Sequence, residues 1–163
     1  MSTSASLVVG ADGSTTKAGL SSGVGSAADR SVFLARRRQF DLILIGGNTA
    51  RTEPYTATPI PLVVLSRTDI DSIADNPKAQ LWNLSPSQAI ARAHNEFGPR
   101  ILIEGGPSLM RELLEAELID DFFLTITEVQ GGENPIDWRA ILNHFTSVEK
   151  SEVDGTLFFH AHN

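Results

Sequence analysis

Two apolar segments of the chain each run into a Gly-Gly pair that is followed by residues typical of a helix start. The first covers residues 42–45 before Gly46-Gly47, and the second covers residues 101–103, with Glu104, before Gly105-Gly106. Continuous leucine and β-branched runs predict strands buried on both faces, as in a parallel sheet. Glycine permits a sharp turn, and the following helix directs unpaired N–H groups toward it. Two such edges predict a site for a phosphate-bearing ligand such as a dinucleotide.

The rest of the hydrophobic pattern alternates strands and helices over the first two-thirds of the chain. It predicts strands at residues 5–11, 41–46, 60–65, 80–82 and 100–104, and helices at residues 27–39, 49–54, 86–97 and 107–117. Pro86 and Pro107 stand at first helical positions, where the missing N–H is tolerated. The polar residues 12–26 predict a functional or mobile loop. Residues 69–78 predict a surface segment.

The last third of the chain has a different pattern. It predicts a strand at residues 121–129, a short helix at most at 137–143, and strands at 148–153 and 156–160 around Asp154-Gly155, a strong hairpin signal. The alternation before it predicts a parallel sheet, to which these strands add antiparallel pairs. The fold class expected is therefore α/β, with one domain spanning residues 1–163.

Composition narrows the function classes. The chain is 41% hydrophobic and 20% charged, without cysteine, which excludes disulfides, thiolate catalysis and cysteine-based zinc sites. No apolar run reaches the roughly 20 residues of a membrane span, and the N-terminus lacks signal-peptide features, so we expect a cytoplasmic protein without membrane contact. The net charge of −7 disfavours nucleic acid as a partner. Local cations such as Arg51 and Arg67 can still hold an anionic cofactor.

Three features near strand ends are candidate functional groups. The paired glycines either cradle a ligand at the carboxyl edge of the sheet, the interpretation we favour, or simply permit tight turns; neither pair forms a G-x-G-x-x-G motif. Glu104 either binds substrate hydroxyls or an amine, or accepts hydrogen bonds from nearby backbone. Ser66-Arg67 either binds the 2′-phosphate that distinguishes NADPH from NADH, or is an exposed loop pair.

The basic side chains carry weaker signals. His160 and His162 share one face of a strand, but they lie near the C-terminus and we expect no carboxylate partner close to them, and therefore no metal site. Residues 36–38 are three arginines in the last turn of a helix, where cations complement the helix dipole. We expect a solvated helix end there, with the alternative that one arginine turns inward.

Five segments together resemble the reductase domain of riboflavin biosynthesis, which shares the dihydrofolate reductase fold. Glu104-Gly105-Gly106-Pro107-Ser108-Leu109 matches the family's Glu-Gly-Gly-Pro-x-Leu, the most specific of these segments. Residues 46–54 resemble its Gly-x-x-Thr-x-x-x-Asp-x-Pro. Residues 10–13, 36–46 and 118–124 resemble its Asp-Gly strand end, its helix and strand before the first turn, and its Leu-x-Asp-Glu-x-x-Leu. The resemblance covers nearly the whole chain.

The resemblance implies a three-layer fold, with a mixed but mostly parallel sheet, helices on both faces and a C-terminal antiparallel hairpin. It implies NADPH as cofactor and hydride transfer to C1′ of a ribosylamino-pyrimidine phosphate, whose ribose opens to ribityl. It also implies a homodimer and a cis peptide between Gly105 and Gly106. Catalytic roles fall to Glu104 and Asp12, substrate contacts to Arg37, Ser26 and Glu104. The cofactor site comprises Gly46, Gly47, Thr49, Glu53, Ser66, Arg67, Gly105, Gly106, Pro107, Ser108 and Leu109.

The chain also departs from the family pattern. Ser14 replaces a lysine after Asp-Gly, Glu53 replaces an aspartate, and residues 55–60 lack the arginine that helps hold substrate phosphate. Ser66-Arg67 is closer to dihydrofolate reductases. Two alternatives therefore stay open, namely reduction of another pterin or pyrimidine, and a catalytically silent nucleotide-binding module.

Overall fold

The computed structural model describes residues 1–163 and contains ten strands and five α-helices. The strands are β1 (Ser2–Val9), β2 (Ser14–Thr16), β3 (Leu42–Gly46), β4 (Leu62–Leu65), β5 (Ala79–Trp82), β6 (Arg100–Gly105), β7 (Asp121–Ile126), β8 (Glu133–Pro135), β9 (Ser147–Val153) and β10 (Thr156–His162). The helices are α1 (Ala27–Arg37), α2 (Gly47–Thr52), α3 (Pro86–Glu96), α4 (Pro107–Glu115) and α5 (Trp138–Leu142).

The chain divides into two compact units, and the first comprises residues 1–5 and 36–120. Its strands follow the order β5-β4-β3-β6-β1, and each neighbouring pair is parallel. Residues 42–45 of β3 and 101–103 of β6 are completely buried, as expected for strands covered on both faces. The predicted parallel sheet is thus confirmed, and β3 and β6 are direct neighbours although 53 residues separate Gly46 from Arg100.

Two predictions for the first unit need correction. Strand β1 begins at Ser2 rather than at residue 5, because its polar residues find partners; Thr3, for example, bonds His94 Nε2 through its hydroxyl at 3.0 Å. Residues 69–78 are not a plain surface segment, because Ile70 and Ile73 are buried in an apolar cluster that includes Tyr55. A short 3₁₀ turn, Asp71–Ile73, directly follows Ile70. The segment has too few apolar residues to give a recognisable hydrophobic pattern in the sequence.

The second unit comprises residues 6–35 and 121–163. Strand β10 pairs antiparallel with both β7 and β9, and β9 and β10 form the hairpin predicted around Asp154-Gly155. The predicted loop at residues 12–26 contains β2, which pairs with β8 in a short ribbon. Strand β7 ends at Ile126 rather than near residue 129.

The α/β fold class predicted from the sequence is confirmed. The structure has three layers, a mostly parallel mixed sheet of eight strands and a C-terminal antiparallel hairpin. The single domain expected over residues 1–163 stays a prediction. Every helix is too short or too polar to cross a membrane.

Candidate functional site

The two Gly-Gly turns meet at the same edge of the first unit. They follow β3 and β6, which are parallel neighbours, so both turns lie at carboxyl ends of strands. A Cβ atom placed on Gly46 would lie 3.8 Å from the Gly106 nitrogen and 4.0 Å from the Gly105 oxygen. The structure therefore brings together the two segments that the sequence singled out.

The second turn is closely packed. Gly105 and Gly106 are joined by a cis peptide bond, as the family resemblance implies. A Cβ on Gly106 would lie 2.9 Å from Thr49 Oγ1, and one on Gly105, whose φ is +152°, would lie 3.0 Å from the same atom. Neighbouring atoms alone thus require glycine here. Helix α4 begins directly afterwards at Pro107, and its N-terminus has no side-chain cap.

The first turn is more open. A Cβ on Gly47 would lie 3.2 Å from Arg51 Nη1 and 3.2 Å from the Ser66 side chain, so glycine leaves room for both. A Cβ on Gly46 would have no neighbour closer than 3.8 Å, and the φ of −86° suits any residue. A methyl group at position 46 would therefore make only ordinary van der Waals contacts, with the second turn and Leu109, so nothing within the protein requires glycine there.

A β-bulge places Glu104 between the regular strand and the second turn. In the pairing of β3 with β6, Leu44 is opposite Ile103, but Ile45 is opposite Gly105, so Glu104 has no opposite residue. Bulges change the direction of a side chain and often lie beside active sites. The Glu104 side chain is only 1% exposed. The local irregularity therefore buries a carboxylate at the edge where both turns meet.

Glu104 forms a cluster with Arg37 and Tyr55. Arg37 Nε donates to Glu104 Oε2 at 2.8 Å, and Arg37 Nη2 donates to Oε1 at 2.7 Å, which makes a bidentate ion pair. The Tyr55 hydroxyl donates to Oε1 at 2.9 Å, and the Arg37 guanidinium lies over the Tyr55 ring, 5.4 Å from its centroid. One of the three arginines at residues 36–38 thus turns inward, the alternative left open by the sequence.

The cluster changes the acidity of its members. Burial lowers the pKa of Arg37, but the hydrogen bonds and charge of Glu104 outweigh this effect, so the pKa lies above its usual value. Burial, followed by the negative charge of Glu104, raises the pKa of the Tyr55 hydroxyl well above its usual value. Arg37 is therefore a cation and Tyr55 a neutral hydrogen-bond donor over the whole physiological pH range.

The predicted phosphate pair Ser66-Arg67 has a different geometry from the one expected. Arg67 is exposed, whereas Arg51 Nη2 lies 3.4 Å from Ser66 Oγ and donates to Thr68 Oγ1 at 2.8 Å. Arg51 Nη1 also donates to Asn48 Oδ1 at 3.2 Å. The structure therefore brings Ser66 together with Arg51, a cation in the last turn of α2, and with the Thr68 hydroxyl.

Other predicted cofactor residues lie beside the two turns. Thr49 contacts the second turn as described above, and the Glu53 backbone N–H donates to Thr49 O at 2.9 Å, ending α2. In α4, Pro107 and Ser108 are exposed, whereas Leu109 is buried and its Cβ lies 4.0 Å from the Cβ position of Gly46. Their roles in cofactor binding stay predictions.

Asp12 and Ser26 belong to the second unit. Asp12 accepts hydrogen bonds from the Ser14 hydroxyl, the Gly131 backbone N–H and the Ser14 backbone N–H. All three lower the pKa of Asp12, and the Ser14 hydroxyl has the largest effect. Ser26 caps α1 by accepting from Asp29 N at 3.1 Å, and its hydroxyl shares a 2.7 Å hydrogen bond with Thr156. The structure gives both residues structural partners, and their catalytic and substrate roles stay predictions.

The expectation that His160 has no carboxylate partner is wrong. His160 Nε2 lies 2.7 Å from Asp121 Oδ1, because antiparallel pairing of β10 with β7 brings these distant residues together. His162 Nε2 lies 3.8 Å from Glu149 Oε1 on the other neighbouring strand. No group of three or more potential metal ligands forms in the structure.

Tyr55 is a site residue that was not predicted from the sequence. It is the only tyrosine of the chain and directly follows Pro54, in a segment noted only for its missing arginine. The signal that could have identified Tyr55 was its phenol side chain, which comes shortly after the Gly46-Gly47 turn. Its partner Glu104 is 49 residues away, so the contact depends on the fold.

Comparisons with known proteins agree with this arrangement. A family model described as the RibD C-terminal domain matches residues 4–136. A pyrimidine reductase-like protein from Corynebacterium diphtheriae has a similar structure, with a TM-score of 0.72 and 20% identity over 99% of this chain and 91% of that one. A putative riboflavin biosynthesis protein from a Shewanella species gives 0.68 and 21%, over 99% and 98%.

A third similar structure belongs to a longer protein. It is a diaminohydroxyphosphoribosylaminopyrimidine deaminase/5-amino-6-(5-phosphoribosylamino)uracil reductase from Thermotoga maritima, with a TM-score of 0.75 and 12% identity. The match covers 99% of this chain but only 56% of the Thermotoga protein. The search of curated proteins gave no match. Because the family model spans most of the sequence, this chain belongs to the RibD C-terminal domain family.

Proposed function

We propose that this protein is an NADPH-dependent reductase that acts on a ribosylamino-pyrimidine phosphate in riboflavin biosynthesis. The observation that supports this proposal most directly is the edge where the two Gly-Gly turns lie side by side, with the Glu104–Arg37 ion pair beside the second turn. Family membership supports the riboflavin pathway. The proposed cytoplasmic location follows from the same pathway.

The residues at this edge fit a nicotinamide dinucleotide phosphate. Helix α2 begins at Gly47 and α4 begins at Pro107, each directly after an N-cap glycine without a side-chain cap, so the free backbone N–H groups of their first turns suit the diphosphate. The Arg51 guanidinium and the hydroxyls of Ser66 and Thr68 offer the donors that a 2′-phosphate requires. We place the cofactor along Gly46, Gly47, Thr49, Glu53, Ser66, Arg67 and residues 105–109, with Arg51 added to this set.

The reacting group is proposed to lie near Glu104. The chemistry that NADPH supplies when bound is a hydride for C1′, with the ribose ring opening to a ribityl chain. Arg37 would hold an anionic part of the substrate, and Glu104 would accept a substrate hydroxyl through its remaining acceptor position. The task of these residues is to orient the substrate and exclude water, and Asp12 and Ser26 keep their predicted roles.

A homodimer is the assembly that we propose. In the second unit, β9 is exposed along its whole length and contains Val148 and Val153, which are 45% and 49% exposed. Helix α1 has no buried residue, and Leu34 on it is 39% exposed. A strand edge and apolar side chains left open are typical of surfaces that a second copy covers. Light scattering on the purified protein measures the mass directly.

Cofactor titration is the decisive experiment for the proposed reductase. NADPH fluorescence should change on binding, and the Gly46→Ala variant should bind more weakly because its methyl group adds bulk where the two turns meet, at the proposed cofactor site. Absence of any NADPH binding at millimolar cofactor would exclude every reductase version of the proposal. Binding without oxidation of NADPH by any ribosylamino-pyrimidine phosphate would instead favour the silent module.

A different pyrimidine or pterin is the second candidate substrate. Two observations favour it. The Tyr55 hydroxyl occupies one hydrogen-bond acceptor position of the Glu104 carboxylate, and residues 55–60 contain no arginine. Parallel turnover assays with a ribosylamino-pyrimidine phosphate and with a dihydropterin separate the two. Faster oxidation of NADPH with the pterin would decide for the second candidate.

A further inference from the structure

We infer that Tyr55 is a positioning residue for the proposed reduction, because its hydroxyl and Arg37 together hold the Glu104 carboxylate in one orientation. This inference rests on the proposed function, in which Glu104 touches the substrate. Tyr55 itself acts through Glu104 and is therefore distinct from the residues that contact the reacting groups.

The carboxylate of Glu104 has little acceptor capacity left. Its Oε1 accepts from both Arg37 Nη2 and the Tyr55 hydroxyl, and its Oε2 accepts from Arg37 Nε. A carboxylate offers about four acceptor positions, so three are used and the fourth is on Oε2. Without the tyrosine hydroxyl, Oε1 would regain a position, and the substrate would meet two competing acceptors instead of one.

The position of the Tyr55 hydroxyl is fixed by packing of the ring and by a hydrogen bond to the backbone of the residue. The ring packs in the apolar cluster that includes Ile43, Ile73 and Leu102. The backbone is held as well, since Asn76 Nδ2 donates to Tyr55 O at 3.1 Å and also to Thr58 Oγ1 at 3.2 Å. A hydroxyl on such a fixed ring can select one carboxylate orientation, which a mobile side chain could not do.

The Tyr55–Glu104 contact can be observed without any activity assay. Tyr55 is the only tyrosine, so the tyrosinate absorbance of the protein reports on this residue alone. Glu104 and Arg37 are the charged groups that face its hydroxyl, and the negative charge of Glu104 adds to burial in raising its pKa. In a Glu104→Gln variant, tyrosinate should therefore form at lower pH than in the unaltered protein, while burial keeps the pKa of Tyr55 above its usual value.

The decisive comparison uses Tyr55→Phe with Ile73→Val as the matched control. Ile73→Val loosens the same apolar cluster but leaves the hydroxyl in place. For Tyr55→Phe we expect kcat to fall about tenfold, with the Kd for NADPH unchanged, because only the orientation of Glu104 is lost. For Ile73→Val we expect kcat and KM close to those of the unaltered protein. Thermal melting confirms that each variant is folded.

The possible outcomes are distinct. A Tyr55→Phe variant with unaltered kcat and KM, in a protein that binds and oxidises NADPH, would overturn the positioning role alone. An equal loss of kcat in both variants would reduce Tyr55 to a packing residue. Identical tyrosinate titration curves for the unaltered protein and the Glu104→Gln variant would show that Tyr55 and Glu104 are not in contact in solution. A protein that does not bind NADPH would overturn the proposed function first, and this inference with it.

Discussion

The Gly46-Gly47 and Gly105-Gly106 turns end neighbouring strands with the same residue pair, but different atoms surround them. At the second turn, Thr49 Oγ1 occupies the space that a side chain at either glycine would need, and Gly105 has a positive φ. At the first turn, only Gly47 is crowded, and a Cβ on Gly46 would make only ordinary van der Waals contacts, the nearest at 3.8 Å. A side chain at the second turn therefore needs Thr49 to move, whereas a methyl group at Gly46 fits without movement.

The comparison also concerns the residues next to each turn. Glu104 precedes the second turn and is buried against Arg37, whereas Arg51 follows the first turn and is exposed. A buried charge pair resists any change of partner, whereas an exposed cation can exchange water for an anion at small cost. In the proposed site, the second turn is assigned to the substrate and the first to the cofactor, and the exposed Arg51 suits an anion that comes and goes.

The largest effect is expected from Glu104→Gln. This substitution leaves the mostly buried Arg37 guanidinium without its counter-charge, so the free energy of unfolding should fall by about 3 kcal/mol. Turnover should fall as well. Urea unfolding and steady-state kinetics measure the two effects. Glu53→Gln, next to the first turn, is the control and should change stability by less than about 1 kcal/mol. Unchanged turnover in Glu104→Gln would refute its substrate role.

A methyl group at the second turn comes next. Gly105→Ala should cost about 2–4 kcal/mol of folding stability, because the Cβ meets Thr49 Oγ1 and the backbone has a positive φ. Adding Thr49→Ala should restore part of that loss, since the obstructing hydroxyl is then gone. Chemical denaturation of the single and double variants tests this. No recovery in the double variant would show that Thr49 is not the obstacle.

The first turn should respond in the opposite way. Gly46→Ala should change folding stability by less than about 1 kcal/mol, because the Cβ has no close neighbour and alanine is a slightly poorer N-cap than glycine. Its NADPH affinity should fall about tenfold, equivalent to about 1.4 kcal/mol. Unfolding curves combined with fluorescence titration separate these effects. Loss of stability with unaltered NADPH binding would remove the distinction between the turns.

A smaller effect is expected at the exposed cation of the first turn. Arg51→Ala should weaken NADPH binding about five- to tenfold while leaving NADH binding unchanged, because only NADPH carries the 2′-phosphate. The effect should shrink at high salt. Arg67→Ala is the matched comparison, and titration of each variant with both cofactors shows which arginine binds. A larger loss in Arg67→Ala would return the role to the residue predicted from the sequence.

The smallest effect is the pH dependence contributed by Tyr55, which connects the segment after the first turn to the residue before the second. Its folded pKa is raised above the unfolded value of about 10, so its contribution is fully present below pH 10 and is lost as the pH rises further. Tyr55→Phe should lack this loss. Denaturation at neutral and alkaline pH measures the difference, and parallel pH profiles for both proteins would contradict it.

Much of the fold could be predicted because its signals are local. The runs at residues 42–45 and 101–103, the proline at the start of α4 and the Asp154-Gly155 hairpin act through neighbours in the chain. The start of strand β1 was predicted too late in the chain, because its first buried residues are short and polar and their hydrogen-bond partners lie elsewhere in the fold. For the site, the location of both turns at one edge of the sheet was predictable from strand direction, whereas the adjacency of β3 and β6 was not. The pairing of Ser66 with Arg51 was not, since it depends on the rotation of α2 above the sheet.

By itself, the sequence determined the parallel strands, the turn positions, the cis-linked glycine pair through its family segment, and a carboxylate directly before the second turn. Only the tertiary structure decided which groups meet that carboxylate. Arg37 and Tyr55 lie 67 and 49 residues from Glu104 in the chain, and a bulge sets the direction of the acid. Periodicity reports burial because burial repeats along one element, but it carries no information about partners contributed by other elements.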